Sequence, residues 1–298
     1  MTSSDLITAV LVGVAAFGLA HVLAWVALER ANGAPPEGRR PRLWDYMIGF
    51  VANFFDTLGV GSFATTTASW RLKGLVADEL IPGTLNVGHT LPTIAQALIF
   101  IAAVAVEPVT LLGMIAAAVA GAVTGARVVS GLPKRAIQLG MGIALLVAAM
   151  LFLLTIFKVV PGGGEAIGLA GPRLWFAIGA NFALGALMTL GIGLYGPCLI
   201  LVSLLGMNPI AAFPIMMGSC AFLMPPGSLP FIARRRYSVR AAIGLALGGI
   251  PGVLIAAYLV KSLPLDWLRW LVVVAVTYAA VGLLRSGFAP RIPAGPAN

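Results

Sequence analysis

The residues best placed to do chemistry stand beside two glycine-rich breaks in otherwise apolar sequence. The first break reads GVGS at 59–62, and the second reads GIGLYGP at 191–197. They interrupt two apolar segments with a helical pattern, at 44–70 and at 173–206. Unwound backbone is costly in a lipid bilayer and is tolerated where it is buried in protein or lines a polar cavity. The breaks therefore predict a polar site inside a membrane.

The helices that follow the breaks favour an anion as the ligand of that site. One helix is expected to start near Ser62, with Ser62 as its N-cap, and the other near Pro197, with Pro197 at the first helical position. Backbone N–H groups and the positive end of the helix dipole would then point at the middle of the membrane. Two such ends hold an anion without a buried Lys or Arg. The alternative is that the glycines only allow helices to pack closely.

Asp56 lies directly before the first break, inside an apolar helix. A carboxylate at such a depth costs at least ~2.5 kcal/mol on insertion scales and is functional by default. We predict that Asp56 couples transport to protons. A structural pairing with Arg127 or with His89 is the alternative.

The other candidate site residues are glycines and polar side chains near the breaks. His89 is included because an imidazole binds an anion when protonated or relays a proton, although a hydrogen-bonded core histidine fits the sequence equally well. Other polar residues close by, Asn53, Gln96 and Asn181, are not assigned to the site. The predicted substrate-binding set is Gly59, Gly61, Ser62, Thr65, Asn86, His89, Gly193, Tyr195, Gly196, Cys198 and Ser219.

Composition makes the chain a membrane protein. Hydrophobic residues make up 60% of it and charged residues 10%, whereas about 25% of a soluble protein is charged. The net charge of +9 lies in short clusters between apolar stretches, which is typical of topology signals and not of nucleic-acid binding. Simple spans of about 20 residues lie at 6–28, 82–104, 109–130, 136–157 and 241–260, with shorter ones at 213–232 and 267–285.

The two breaks belong to a longer internal repeat. The sequence TLGVG at 57–61 matches TLGIG at 189–193 with an offset of 132, and Gly88 matches Gly218 with an offset of 130. Further matches at an offset of 131 join Gly113, Gly121 and Leu132-Pro133 to Gly244, Gly252 and Leu263-Pro264. We predict two copies of one unit, at 44–157 and 173–285. The remainder is an N-terminal transmembrane helix (1–30), a basic cytoplasmic loop (31–43), a linker (158–172) and a tail (286–298).

The repeats are expected to be inverted relative to each other. If each broken segment re-enters the membrane, each repeat has three crossings, and the first helix brings the total to seven. An N-terminus outside then places fourteen basic residues on the inner side and four on the outer, as the positive-inside rule requires. The inner set is Arg30, Arg39, Arg40, Arg42, Arg71, Lys73, Lys134, Arg135, Arg234, Arg235, Arg236, Arg240, Arg285 and Arg291, and the outer set is Lys158, Arg173, Lys261 and Arg269. Broken segments that span fully are the alternative.

These features resemble the sulfite exporter TauE/SafE family of membrane transporters over roughly 44–285. The resemblance rests on the two glycine breaks and on the repeated helices that end at Leu132-Pro133 and Leu263-Pro264. It implies an all-α integral membrane fold: two inverted repeats, each with a re-entrant or broken helix plus about three transmembrane helices, after one extra N-terminal helix. It also implies gradient-driven export of sulfite, an organosulfonate or a related small acid. Asp56 before the glycine run departs from the family's pattern.

We therefore expect a multi-pass protein of the bacterial cytoplasmic membrane, with the N-terminus outside and the C-terminus inside. The expected partners are a small anion and membrane lipid, and nucleic acid is not expected. The sequence is compatible with a monomer and with a homodimer. No nucleotide loop, metal-ligand cluster or Ser-His-Asp spacing is found, so we expect neither cofactor nor metal, and no enzymatic activity. Two alternatives remain: a membrane enzyme that uses Asp56 and His89, and a thiol-redox carrier that uses Cys198 and Cys220.

Overall fold

The computed structural model describes residues 3–35, 37–129, 134–159, 164–188 and 193–288. Within these ranges the chain forms α-helices and two short 3-10 turns, without a β-strand, and one isolated bridge joins Ala166 to Met207. The helices are α1 Ser3–Asn32, α2 Leu43–Thr57, α3 Ser62–Lys73, α4 Ile81–Ala103, α5 Pro108–Val129, α6 Lys134–Ile156, α7 Gly171–Met188, α8 Tyr195–Leu204, α9 Ala212–Ala233, α10 Val239–Ser262 and α11 Leu265–Phe288.

The described helices form a multi-pass membrane protein. Six of them, namely α1, α4, α6, α9, α10 and α11, are long and apolar enough to cross a bilayer. Their outward faces carry large apolar side chains, such as Leu19 at 62% exposure and Val274 at 60%. Such a surface is stable in lipid and not in water. The predicted crossing at 109–130 corresponds to α5, of which 108–124 form a shorter apolar helix.

Helices α4 and α9 form the centre of the bundle. The most apolar stretch of α4 is 67% buried and that of α9 72% buried, against 22% for α1 and α6. Phe100 of α4 stacks on Phe213 of α9 with ring centroids 5.2 Å apart. Helix α4 carries several buried polar residues, among them His89, Thr93 and Gln96, while most of the apolar surface of α1, α6 and α11 faces lipid.

Two helix pairs flank this centre, α2 against α10 and α5 against α7. Glycines let their backbones touch. A Cβ at Gly248 would collide with the carbonyl oxygen of Tyr46 on α2, and a Cβ at Gly185 would collide with that of Ala118 on α5. Small residues allow this close approach in membranes, where dispersion contacts replace the hydrophobic effect between helices.

The first predicted break is present between α2 and α3. Gly59 and Gly61 have φ values of +91° and +89°, in the left-handed region that favours glycine. At about 1.5 Å per residue, α2 is about 22 Å long and α3 about 18 Å, so neither crosses the ~30 Å apolar layer alone. The N-cap of α3 is Gly61 and not Ser62, which is the first helical residue, so the helix begins one residue earlier than expected.

The second break lies between Met188 of α7 and Tyr195 of α8. Helix α8 is about 15 Å long and begins two residues before Pro197, which is its third residue. Residues 189–192 of this break lie outside the described residues, as do Leu132-Pro133, Arg291 and the side chain of Arg127.

The loop 164–170 covers the far end of α8. The Asn208 N–H donates to the Ala166 carbonyl at 2.8 Å, and the Glu107 N–H donates to the Ile167 carbonyl at 2.8 Å. The Leu169 N–H donates to the Thr110 hydroxyl at 3.0 Å. We call this segment the strap, because it joins the α4–α5 turn to the turn after α8.

Glu107 caps the first turn of α5 beside the strap. Its carboxylate accepts the Thr110 N–H at 2.7 Å, the Thr110 hydroxyl at 2.8 Å and the Val109 N–H at 3.1 Å. Partial burial acts to raise the pKa of Glu107, but these hydrogen bonds outweigh it and lower the pKa below the usual value. The ionised form is therefore the one that holds this corner together.

Candidate functional site

A small cavity lies where the two breaks meet. The C-terminal end of α2 and the first turn of α3 form one side of it, the ends of α7 and α8 form the other, and α4 and α9 close it. It leaves about 60 Å³ for the centres of water-sized groups, room for a few of them and hence for a small polyatomic ion. The lining residues are Asp56, Gly61, Ser62, Phe63, Thr93, Met188, Gly193, Leu194, Tyr195, Cys220 and Met224.

Both short helices present their N-terminal ends to this cavity. The N-caps of α3 and α8 are Gly61 and Leu194, and neither offers a side chain to the first N–H groups. At α3 the Asp56 carboxylate lies beside the Ser62 N–H and the Ser62 hydroxyl and interacts with both. An acidic group at a helix N-terminus is the favoured arrangement electrostatically. The first turn of α3 thus already holds an anionic group of the protein itself.

Gln96 of α4 joins the two sides of the cavity. Its amide Nε2 donates to Asp56 Oδ2 at 2.9 Å and to the Thr57 hydroxyl at 2.9 Å. Its Oε1 accepts the Tyr195 hydroxyl at 2.8 Å. Thr93 of α4 lies beside the Tyr195 hydroxyl in the cavity wall. A continuous hydrogen-bond chain therefore runs from Asp56 at the first break, through Gln96, to Tyr195 in the first turn of α8.

His89 lies in a separate buried network. Its Nδ1 is 3.0 Å from Asn53 Oδ1, and its Nε2 is 3.1 Å from the Thr66 hydroxyl. The amide nitrogen of Asn53 donates to the Gly49 carbonyl, so Oδ1 faces His89 and can only accept. Nδ1 therefore carries the proton, and Nε2 accepts from Thr66. His89 ties α2, α3 and α4 together and lines neither cavity.

Of the residues predicted for the site, the structure brings five to the cavity and places seven elsewhere. Those at the cavity are Asp56, Gly61, Ser62, Gly193 and Tyr195. Four of the others are polar side chains with hydrogen bonds elsewhere. Thr65 bonds to the Ser62 carbonyl, Asn86 to the Pro82 carbonyl and Ser219 to the Ile215 carbonyl, each within its own helix. His89 bonds to Asn53 and Thr66 on neighbouring helices. The last three are buried or packing positions: Cys198 is fully buried, a Cβ at Gly59 would touch Leu199, and one at Gly196 would touch Ala279.

Gln96, Thr93, Met188 and Met224 were missed as site residues. Gln96 stood out in the sequence as a polar residue in an apolar helix, but nothing there showed that it faces Asp56. Met188 and Met224 look like ordinary apolar core, and Cys220 was considered only for the thiol-redox alternative. Cys220 Sγ lies 3.7 Å from Met188 Sδ, and both cysteines are buried free thiols.

A second cavity, the vestibule, adjoins the first and is much larger, at about 1030 Å³ on the same measure. Phe63, Met188 and Met224 line both cavities and form the boundary between them. The vestibule follows one face of α3 from Phe63 through Thr67 to Arg71. The small cavity therefore opens toward the basic end of α3.

Within the described residues no group of three or more His, Cys, Asp or Glu is placed to hold a metal ion. No family model, curated protein or solved structure matches the chain. The function is therefore inferred from the cavity, its hydrogen bonds and the vestibule.

Proposed function

We propose that this chain is a gradient-driven transporter of small anions, and that the anion binds in the cavity between the two breaks. The observation that carries the proposal is that the first turns of α3 and α8 line one cavity. Paired broken helices near the midplane are the usual binding-site device of secondary transporters.

The chemistry of the cavity wall supports an anion. Its described lining contains no Lys or Arg, and the donors are N–H groups of two helix starts with the hydroxyls of Ser62, Thr93 and Tyr195. Small hydroxyls and N–H groups surround an anion at short range without a buried positive charge. The resemblance to TauE/SafE exporters adds sulfite, an organosulfonate or a related small acid as the substrate class, and export as the direction.

The order and packing of the helices support two inverted repeats. From α2 to α6 the order is a short broken pair, a 3-10 turn and three long helices, and α7 to α11 follow the same order. Each broken pair packs on the other half, α2 on α10 and α7 on α5. Asn53 bonds to His89 in the first half, and Asn181 bonds to Ser219 in the second. Three crossings per half would invert the second copy and place the C-terminus inside.

Asp56 supports coupling to protons. When ionised, its carboxylate holds the first turn of α3, so a substrate anion and the ionised carboxylate would lie close together in one small cavity. Like charges at such a distance repel each other strongly in a medium of low dielectric constant. Protonation of Asp56 removes that repulsion. A proton and an anion are then carried together.

Anion binding to purified protein in detergent tests the proposal. The panel is sulfite, thiosulfate, sulfoacetate, sulfate and short carboxylates, with unfolding temperature as the readout. A ligand at 100 times its dissociation constant adds about 2.7 kcal/mol of stability, which is a clear shift. We expect at least one anion to stabilise the protein, more strongly at acidic pH, and the Asp56→Asn variant to bind that anion independently of pH.

Asp266→Asn is the matched control, because Asp266 is an exposed carboxylate at the start of α11, remote from the cavity. It should behave like the wild type. If no anion of the panel stabilises the wild type at any pH, the anion-transport proposal is wrong.

A further inference from the structure

We propose that Gln96 is the positioning residue that couples the charge of Asp56 to anion binding by Tyr195. This inference rests on the proposed function and identifies the residue that links protonation of Asp56 to anion binding. Gln96 is fully buried at the crossing of the two halves. Its amide touches Asp56 and Thr57 at the first break and Tyr195 at the second, each within 2.9 Å.

The present arrangement is the one that an ionised Asp56 requires. A carboxylate only accepts hydrogen bonds, so it must face the NH₂ group of Gln96. The amide oxygen of Gln96 then faces Tyr195 and takes the single proton of its hydroxyl. While Asp56 is ionised, Tyr195 has therefore no proton to donate to an anion in the cavity.

Protonation of Asp56 reverses this preference. The carboxylic acid carries an O–H that needs an acceptor, and the Gln96 NH₂ group cannot be one. Rotation of the Gln96 amide by half a turn brings its oxygen to Asp56 and its nitrogen to the Tyr195 oxygen. Tyr195 then accepts from Gln96, and its own O–H is released toward the cavity that it lines.

The remaining partner of Gln96 tolerates the rotation. The Thr57 hydroxyl now accepts from Gln96 Nε2 and donates to the Asn53 carbonyl at 2.7 Å. After the rotation it faces the amide oxygen and can donate to it instead. In both states Gln96 therefore hydrogen-bonds to Asp56, Thr57 and Tyr195, so the amide has two well-defined positions. The only atom gained between them is the proton on Asp56.

Few other groups near Asp56 compete for this role. Tyr195 of α8 and Cys220 of α9 interact with its charge, and both are neutral near neutral pH at their ordinary pKa values. His89 of α4 is held by Asn53 and Thr66. Helix α10 presents glycines to α2, and the basic residues of α3 lie in its last turn, far from Ser62. The charge of Asp56 thus sets the orientation of the Gln96 amide.

The test measures the binding of methanesulfonate, whose charge is constant between about pH 5.5 and about pH 8, where a midplane carboxyl can titrate. In the wild type, Tyr195→Phe should weaken binding on the order of tenfold at the acidic pH, the loss of one hydrogen bond to an anion, and little at the alkaline pH. In the Gln96→Met background, the same Tyr195→Phe change should weaken binding equally at both pH values. Tyr258→Phe, on an 80% exposed tyrosine, is the control and should change nothing.

The outcomes separate the two proposals. If methanesulfonate binds and the effect of Tyr195→Phe does not depend on pH in the wild type, Gln96 does not link the two residues, and the transporter proposal stands. The same conclusion holds if Gln96→Met leaves that pH dependence intact. The single Tyr195→Phe variant decides the matter should Gln96→Met fail to fold. If methanesulfonate and the whole anion panel fail to bind, the proposed function falls, and this inference with it.

Discussion

Helices α3 and α8 both begin at a break and both face the same cavity, yet their surroundings differ completely. Thr67 and Arg71 of α3 line the wide vestibule. In α8, Cys198, Leu199 and Val202 are fully buried, and the strap lies over the turn that follows them. The difference shows a molecule open along α3 and closed along α8. An alternating-access cycle would exchange these two environments.

Cysteine labelling tests most directly whether α3 is accessible and α8 is protected. With Cys198 and Cys220 replaced by serine, Thr67→Cys in the vestibule should react rapidly with a maleimide, whereas Leu199→Cys should be protected. Thr67 and Leu199 are matched positions of the two proposed repeats, at the offset of 132. If exposing α8 requires an opening of ~3 kcal/mol, labelling slows about a hundredfold. Equal rates at both positions would show that α8 is not closed.

Weakening the strap should reduce that protection. Thr110→Val removes the hydroxyl that accepts the Leu169 N–H, and a buried unsatisfied donor costs about 1–3 kcal/mol. Labelling of Leu199→Cys should then rise by roughly five-fold to a hundredfold. Thr124→Val is the matched control, since the exposed Thr124 hydroxyl bonds only to the Ala120 carbonyl of its own helix. An equal rise in the control would mean that the strap does not close the α8 side.

Acid should loosen the same corner to a smaller extent. The folded-state pKa of Glu107 is lowered, so its contribution is present above the ordinary pKa and is lost as the pH falls through the lowered value. Protection of Leu199→Cys should therefore decrease on the acidic side of the ordinary Glu pKa, and Glu107→Gln should remove that part of the pH dependence. The effect is small because Glu107 is only partly buried and solvent weakens its electrostatic interactions. A pH profile unchanged by Glu107→Gln would contradict this role.

Replacement of the two native cysteines should have the smallest effect, and this effect is on anion affinity. Cys220 lines the cavity and Cys198 does not. Cys220→Ser should therefore change anion affinity by a few-fold, a weak thiol contact being worth less than about 1 kcal/mol, and Cys198→Ser should change it less. Flux of the unaltered anion into proteoliposomes measures both. Complete loss of activity in either variant would support the thiol-redox alternative instead.

The sequence predicted the elements of this fold better than the contacts of its site. Long apolar runs and glycine breaks mark helices and their interruptions locally, so the spans and the start of α3 were found to within a few residues. The neighbours of a side chain depend on packing between distant helices. His89 and Asn86 lie on the same helix as Gln96 but do not line the small cavity, because a helix points successive side chains in different directions; Asn86 lines the vestibule instead. Gln96, about 40 residues from Asp56, faces it.

For the proposed transport function, the position of Asp56 also determines how the protein behaves without a bound substrate. Its carboxylate is tied to the same chain as the helix start that it occupies, which gives it a high effective concentration there. An abundant, weakly bound anion such as chloride therefore meets a tethered competitor at every encounter. Only an anion that binds the start of α3 more strongly than the Asp56 carboxylate, or that binds together with a proton, would fill the cavity. The unloaded protein would thus resist leaking the cell's common anions.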